Sequence, residues 1–69
     1  MKTTRKVLEA KVNNYNSISD IKLKLNDDIV GAINLYTEDN NRIATATNKE
    51  MLTILDVLIN IKALEKSNR

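Results

Sequence analysis

Apolar residues recur in the first part of the chain at Leu8, Val12 and Tyr15, with Val7 beside them. The i, i+4, i+7 spacing is one narrow stripe of an amphipathic helix and predicts a helix over residues 3–15. Thr3 or Thr4 can cap its first turn. The polar run Asn13, Asn14, Asn16 and Ser17 ends it, because such side chains compete for backbone hydrogen bonds. The period then changes. Ile21-Lys22-Leu23-Lys24-Leu25 alternates, as a half-buried strand does, and predicts a strand over 21–26. Asn26-Asp27-Asp28 supplies turn chemistry. Residues 29–37 read as a second strand, with Ile33 and Leu35 on one face and Asn34 and Tyr36 on the other. A turn at Glu38-Asp39-Asn40-Asn41 leads to a third, shorter strand over 42–46.

The helical period returns after Ala46. Thr47-Asn48-Lys49-Glu50 fits a capping box, in which Thr47 accepts from the amide three residues on and Glu50 reaches back. The residues from Met51 to Leu64 are mostly apolar, and Lys62, Lys66 and Arg69 suit the negative end of the dipole. A helix over residues 48–66 follows. Both strand connections are hairpin-length, so the simplest topology is a three-stranded antiparallel meander. The expected fold is α+β: helix, meander, helix, in a single domain spanning residues 1–69, with both helices on one face of the sheet.

The last helix is wider in its apolar coverage than this plan needs. Met51, Ile54, Leu55, Leu58 and Ile61 form the expected core stripe. Leu52, Ile59 and Ala63 extend it on one flank, and Val57 and Leu64 on the other. At 100° per residue the apolar arc covers roughly 240°, against a stripe of about 100° for a helix lying on one sheet. Two explanations are open. Either the first helix covers the extra flank, or a flank stays exposed and is buried against a second copy or a foreign partner. The second makes Leu52, Leu55, Val57, Ile59, Ala63 and Leu64 the candidate association surface, with a homodimer as its simplest form.

Composition narrows the chemistry. A chain of 69 residues can build only one small core, so disulfides, metals or partners often support such domains. There is no Cys and no His, which excludes disulfides and thiolate sites and removes the commonest metal ligand and general base. Aromatics are 3% of the chain, so the core must be built from Ile, Leu and Val. The net charge of +2 is too small to predict nucleic-acid binding by itself. No apolar run approaches membrane-spanning length and no signal peptide precedes the first helix, so a cytoplasmic setting without membrane attachment is expected.

Candidate sites are few. Asn26-x-Asp28-x-Val30-Gly31 resembles the start of a calcium loop but places Val30 at a ligand position and Thr37 where a bidentate Glu is needed. Asp27-Asp28 and Glu38-Asp39 are turn acids at opposite ends of the meander. No nucleophile has a base to activate it, and one glycine cannot build a phosphate-cradling loop; Gly31 reads as a bulge or a close helix approach. Catalysis and cofactors are therefore not expected. Alternation groups Lys22, Lys24, Asn34, Tyr36 and Arg42 on the outer sheet face. Basic residues around an aromatic can follow a nucleic-acid backbone and stack a base. Platforms of that kind normally carry two or more aromatics, and a solvated face with edge-protecting lysines is the alternative.

Thr4-Arg5-Lys6-x-Leu8-Glu9-x-Lys11-Val12, a polar Asn-rich break, a hairpin, and Thr47-x-Lys49-Glu50-Met51-Leu52 opening a last helix resemble small helix–hairpin–helix proteins of Gram-positive phages and prophages. The helix–sheet–helix plan is also similar to phage inhibitors of host defence nucleases, which are typically acidic DNA mimics; a +2 chain is not one. The resemblance implies a small accessory protein that binds and modulates a host protein or sequesters a ligand in the host cytoplasm. A nucleic-acid-binding module and a structural assembly component are the alternatives.

Overall fold

The computed structural model describes residues 4–28 and 31–67. The expected helix start at Thr3, the start of the second strand at Ile29 and Val30, and Arg69 lie outside the described residues. The elements run α1 (Arg5–Ile18), β1 (Leu23–Asp27), β2 (Ile33–Thr37), β3 (Arg42–Ala46) and α2 (Asn48–Ser67). The sheet is an antiparallel meander in the order β1-β2-β3. Leu23, Ile33 and Leu35 share one sheet face and form a single buried cluster with Leu8, Val12 and Tyr15 of α1 and Met51 and Leu55 of α2. Both helices thus lie on that face, as the alternation predicts.

α1 is longer than expected because its polar run does not end it. Thr4 caps its start, accepting from the Val7 amide. Asn13, Asn14, Asn16 and Ser17 remain helical, and the chain turns only at Ser19. There the Ser19 hydroxyl accepts from the Ile21 amide and donates to the Ile21 carbonyl. This local turn holds Ile21 outside the ladder, exposed, so β1 starts two residues later than the alternation suggests. β2 is likewise assigned only from Ile33.

The two hairpins are built alike. Asp28 donates to the Ala32 carbonyl and Gly31 to the Asp28 carbonyl; Thr37 donates to the Asn41 carbonyl and Asn40 to the Thr37 carbonyl. Gly31 (φ 81°) and Asn40 (φ 69°) occupy the same left-handed position, which Gly and Asn tolerate best in such loops. A Cβ on Gly31 would meet nothing within 4 Å, so its requirement is conformational and no helix approaches it.

α2 opens as the capping box predicts. The Glu50 amide donates to Thr47 Oγ1 at 3.3 Å while the Thr47 amide donates to Glu50 Oε1 at 3.2 Å. The Thr47 hydroxyl also donates to Glu50 Oε1 at 2.9 Å, and this bond first, with that from the Thr47 amide, holds the Glu50 carboxyl below its ordinary value of 4.5.

Candidate functional site

Lys11 pairs with Asp56, Nζ to Oδ1, at 2.8 Å. One end of α1, at Ile18 and Ser19, lines a small surface cleft with Lys62, Glu65 and Lys66 of α2. Corresponding points seven residues on along each helix thus stay together, and the two helices run in the same direction. α1 therefore covers the flank of α2 that carries Leu52, Asp56 and Ile59. Leu52 and Ile59 are half-buried and packed on the core. Leu55, expected on the association surface, is fully buried inside its own chain, and it leaves that surface for this reason. Ala63 is exposed near the end of α1.

The opposite flank has no cover. Val57 is 50% exposed, Leu64 64% and Ile61, expected in the core, 47%. Lengths explain this. Twenty residues of α2 span about 30 Å, whereas the five-residue strands span about 17 Å. The last turns of α2 extend beyond the length of the strands. Val57, Ile61 and Leu64 then form an exposed stripe spaced 4 and 3 residues apart, which Ile54, half-buried and packed on the core, extends by a further 3 residues. The expectation of an exposed flank and the expectation of cover by α1 each describe one side of the same helix.

The outer sheet face is organised by register. Lys24 lies opposite Tyr36, and Tyr36 opposite Arg42. In an unbroken ladder Arg42 would face Thr37 and share the core side with Ala44. A bulge between Leu35 and Tyr36 re-aims it to the outer side. The next row is Asn26, Asn34 and Thr45. Asn34 is buried among its neighbours, and its side-chain oxygen accepts from the Thr45 hydroxyl. Lys24 donates to the Asn40 side chain. Lys22 does not join this row. Its ammonium donates to the Asn16 and Ser19 carbonyls at 2.7 and 2.8 Å, where it neutralises the end of α1.

The two sheet edges are finished differently, a feature missed by sequence reasoning. The pairing of Lys22 with Glu38 and of Asp28 with Ala32 sets the hydrogen-bond phase of β1. Leu23 and Leu25 consequently turn their backbone polar groups outward. Asn16 takes both groups of Leu23, accepting from its amide at 2.7 Å and donating to its carbonyl at 3.0 Å. Arg5 donates to the Leu25 carbonyl and pairs with Asp27. Helix side chains therefore occupy both outward groups of Leu23 and the carbonyl of Leu25. The β3 edge carries a bulge, a short length and the charged Arg42, devices that discourage pairing.

Arg5, Glu9, Val12, Asn13 and Leu25 line an open groove of about 250 Å³ between α1 and β1. Its one cation, Arg5, is already committed to Asp27 and the Leu25 carbonyl. No helix among the described residues is long and apolar enough to cross a membrane. Compared with protein-family models, with curated proteins and with solved structures, the chain matches none.

Proposed function

We propose that the chain is a non-catalytic binding protein of the small phage-accessory kind. In this reading it works as a homodimer in the host cytoplasm and binds and modulates a host protein or sequesters a ligand. The observation that carries the reading is the uncovered stripe of Val57, Ile61 and Leu64 on a helix whose other flank is closed by α1. Contiguous apolar surface of this kind commonly marks an association site. A small single core gains stability from such an association. With no Cys and no His, the chain lacks the thiol nucleophile and the commonest general base.

Sedimentation of the purified chain tests the reading. A dimer at micromolar concentration is expected, converted to monomer by Ile61→Lys or Leu64→Lys with the fold retained. A wild-type monomer at high micromolar concentration would end it.

The row Lys24–Tyr36–Arg42 favours a second reading, in which the outer sheet face binds single-stranded nucleic acid through two cations and one stacking ring. Affinity should then fall steeply with salt and be lost in Lys24→Glu with Arg42→Glu. Binding indifferent to both would rule this out. Lys22 is not the residue to change, since its loss would loosen the end of α1.

A further inference from the structure

We propose that two copies of the chain join through α2 as an antiparallel helix pair, Val57 of each facing Ile61 of the other and Ile54 facing Leu64. The inference rests on the homodimer reading and adds a surface, an orientation and a register to it.

α2 carries two apolar seams. The inner one, with Met51 and Leu55, belongs to the core. The outer one repeats at 3, 4 and 3 residues, the spacing with which one helix packs along another. The open parts of Val57, Ile61 and Leu64 amount to roughly 250–300 Å² of mostly apolar surface, close to the size of the largest patch on an ordinary monomer. Ile43 stands apart on β3, so the continuous part is the helix stripe. Twofold pairing covers the stripes of both copies at once. The exposed seam residues of the two copies then supply roughly a third of a standard interface of about 1,600 Å², and Ile54 and the polar flanks supply more.

A second copy fits this seam better than a charged partner does. No charged side chain interrupts it between Ile54 and Leu64, and Thr53, Asn60 and Ser67 recur every seven residues along one flank. Two copies can close that flank without desolvating a charge. Orientation follows from the ends. Glu50 continues the repeat four residues before Ile54. A parallel pair would set Glu50 against the partner's Glu50. An antiparallel pair separates the two carboxylates and places opposite ends of the two helix dipoles together. The seam centre, near Ile59, lies close to the middle of α2, so antiparallel partners overlap along almost the whole helix.

The chain lacks cysteine, so single introduced thiols report on contacts without background. Val57→Cys and Ile61→Cys chains are mixed in equal amounts and oxidised mildly, and the disulfides are resolved by mass. The mixed Val57→Cys/Ile61→Cys product should form about tenfold faster than either self-linked product, because only opposed thiols reach disulfide geometry. Ala63→Cys, on the flank beside α1, should show no such preference, and circular dichroism checks that each variant folds. Faster self-linking of each variant, in a chain that still sediments as a dimer, would overturn the orientation and leave the homodimer reading standing. Equal rates among all pairs in such a dimer would overturn the surface. A monomer by sedimentation would overturn both.

Discussion

α1 and α2 lie side by side over one sheet, yet they finish their sides of the molecule in opposite ways. α1 has 14 residues, buries one stripe through Leu8, Val12 and Tyr15, and turns polar side chains on to the neighbouring strand. Asn16 and Arg5 occupy both outward groups of Leu23 and the carbonyl of Leu25, so that edge offers less to another chain. α2 has 20 residues, outruns the strands, and leaves Val57, Ile61 and Leu64 in the open. The difference teaches that apolar content alone does not locate a binding surface. α2 has apolar residues on both flanks, and only the neighbour each flank meets decides which is core and which is surface.

That comparison can be broken most forcefully within α2 itself. Leu55→Ala removes a fully buried side chain and should cost about 2–5 kcal/mol in denaturant unfolding. Leu64→Ala, an identical change in the open seam, should cost under about 0.5 kcal/mol in the dilute monomer. Equal costs would mean the two seams are not distinct.

Asn16→Ala tests the β1 edge. It leaves the amide and carbonyl of Leu23 unpaired at a half-buried site, and a loss of about 1–2 kcal/mol in unfolding free energy is expected. Asn13→Ala, at an exposed position of the same helix, should fall within about 0.5 kcal/mol of wild type. A self-association gained by Asn16→Ala, seen by light scattering, would show that Asn16 also guards against strand pairing.

The helix starts sharpen the comparison further. Thr4 makes a one-way cap on α1, whereas Thr47 and Glu50 cap α2 reciprocally. Thr47→Ala should cost about 1 kcal/mol by thermal unfolding, and Thr4→Ala less.

The smallest expected effect is a pH dependence. Glu50 is held below its unfolded value of 4.5 by the Thr47 hydroxyl and amide. Its contribution is therefore fully present above about that pH and is lost as pH falls through the lowered folded value. Glu50→Gln should flatten this part of the acid limb when denaturant midpoints are followed down through the carboxylate range.

Much of the fold was legible from local patterns. Leu8, Val12 and Tyr15 announce a buried stripe because helical spacing is a local property, and all three are buried. The box at Thr47 and Glu50 was legible because both partners lie within one turn. Asn16 misled for a reason of the same kind. Read alone, an Asn near a helix end competes with the backbone; here its partner is the main chain of Leu23, seven residues away across a turn. Arg42 reached the row of Tyr36 only through a bulge, which alternation cannot foresee.

The sequence by itself determined the order of elements, the α2 cap, the helix stripes that enter the core and the absence of Cys and His. Each follows from residue types or from spacings within a few positions. Tertiary structure alone decided which flank of α2 is covered, that Leu55 is core and Ile61 surface, that Lys22 serves the end of α1, and that Asn16 and Arg5 serve the β1 edge. These depend on the length of the strands against that of α2 and on which side α1 lies, and no pattern confined to one element contains that information.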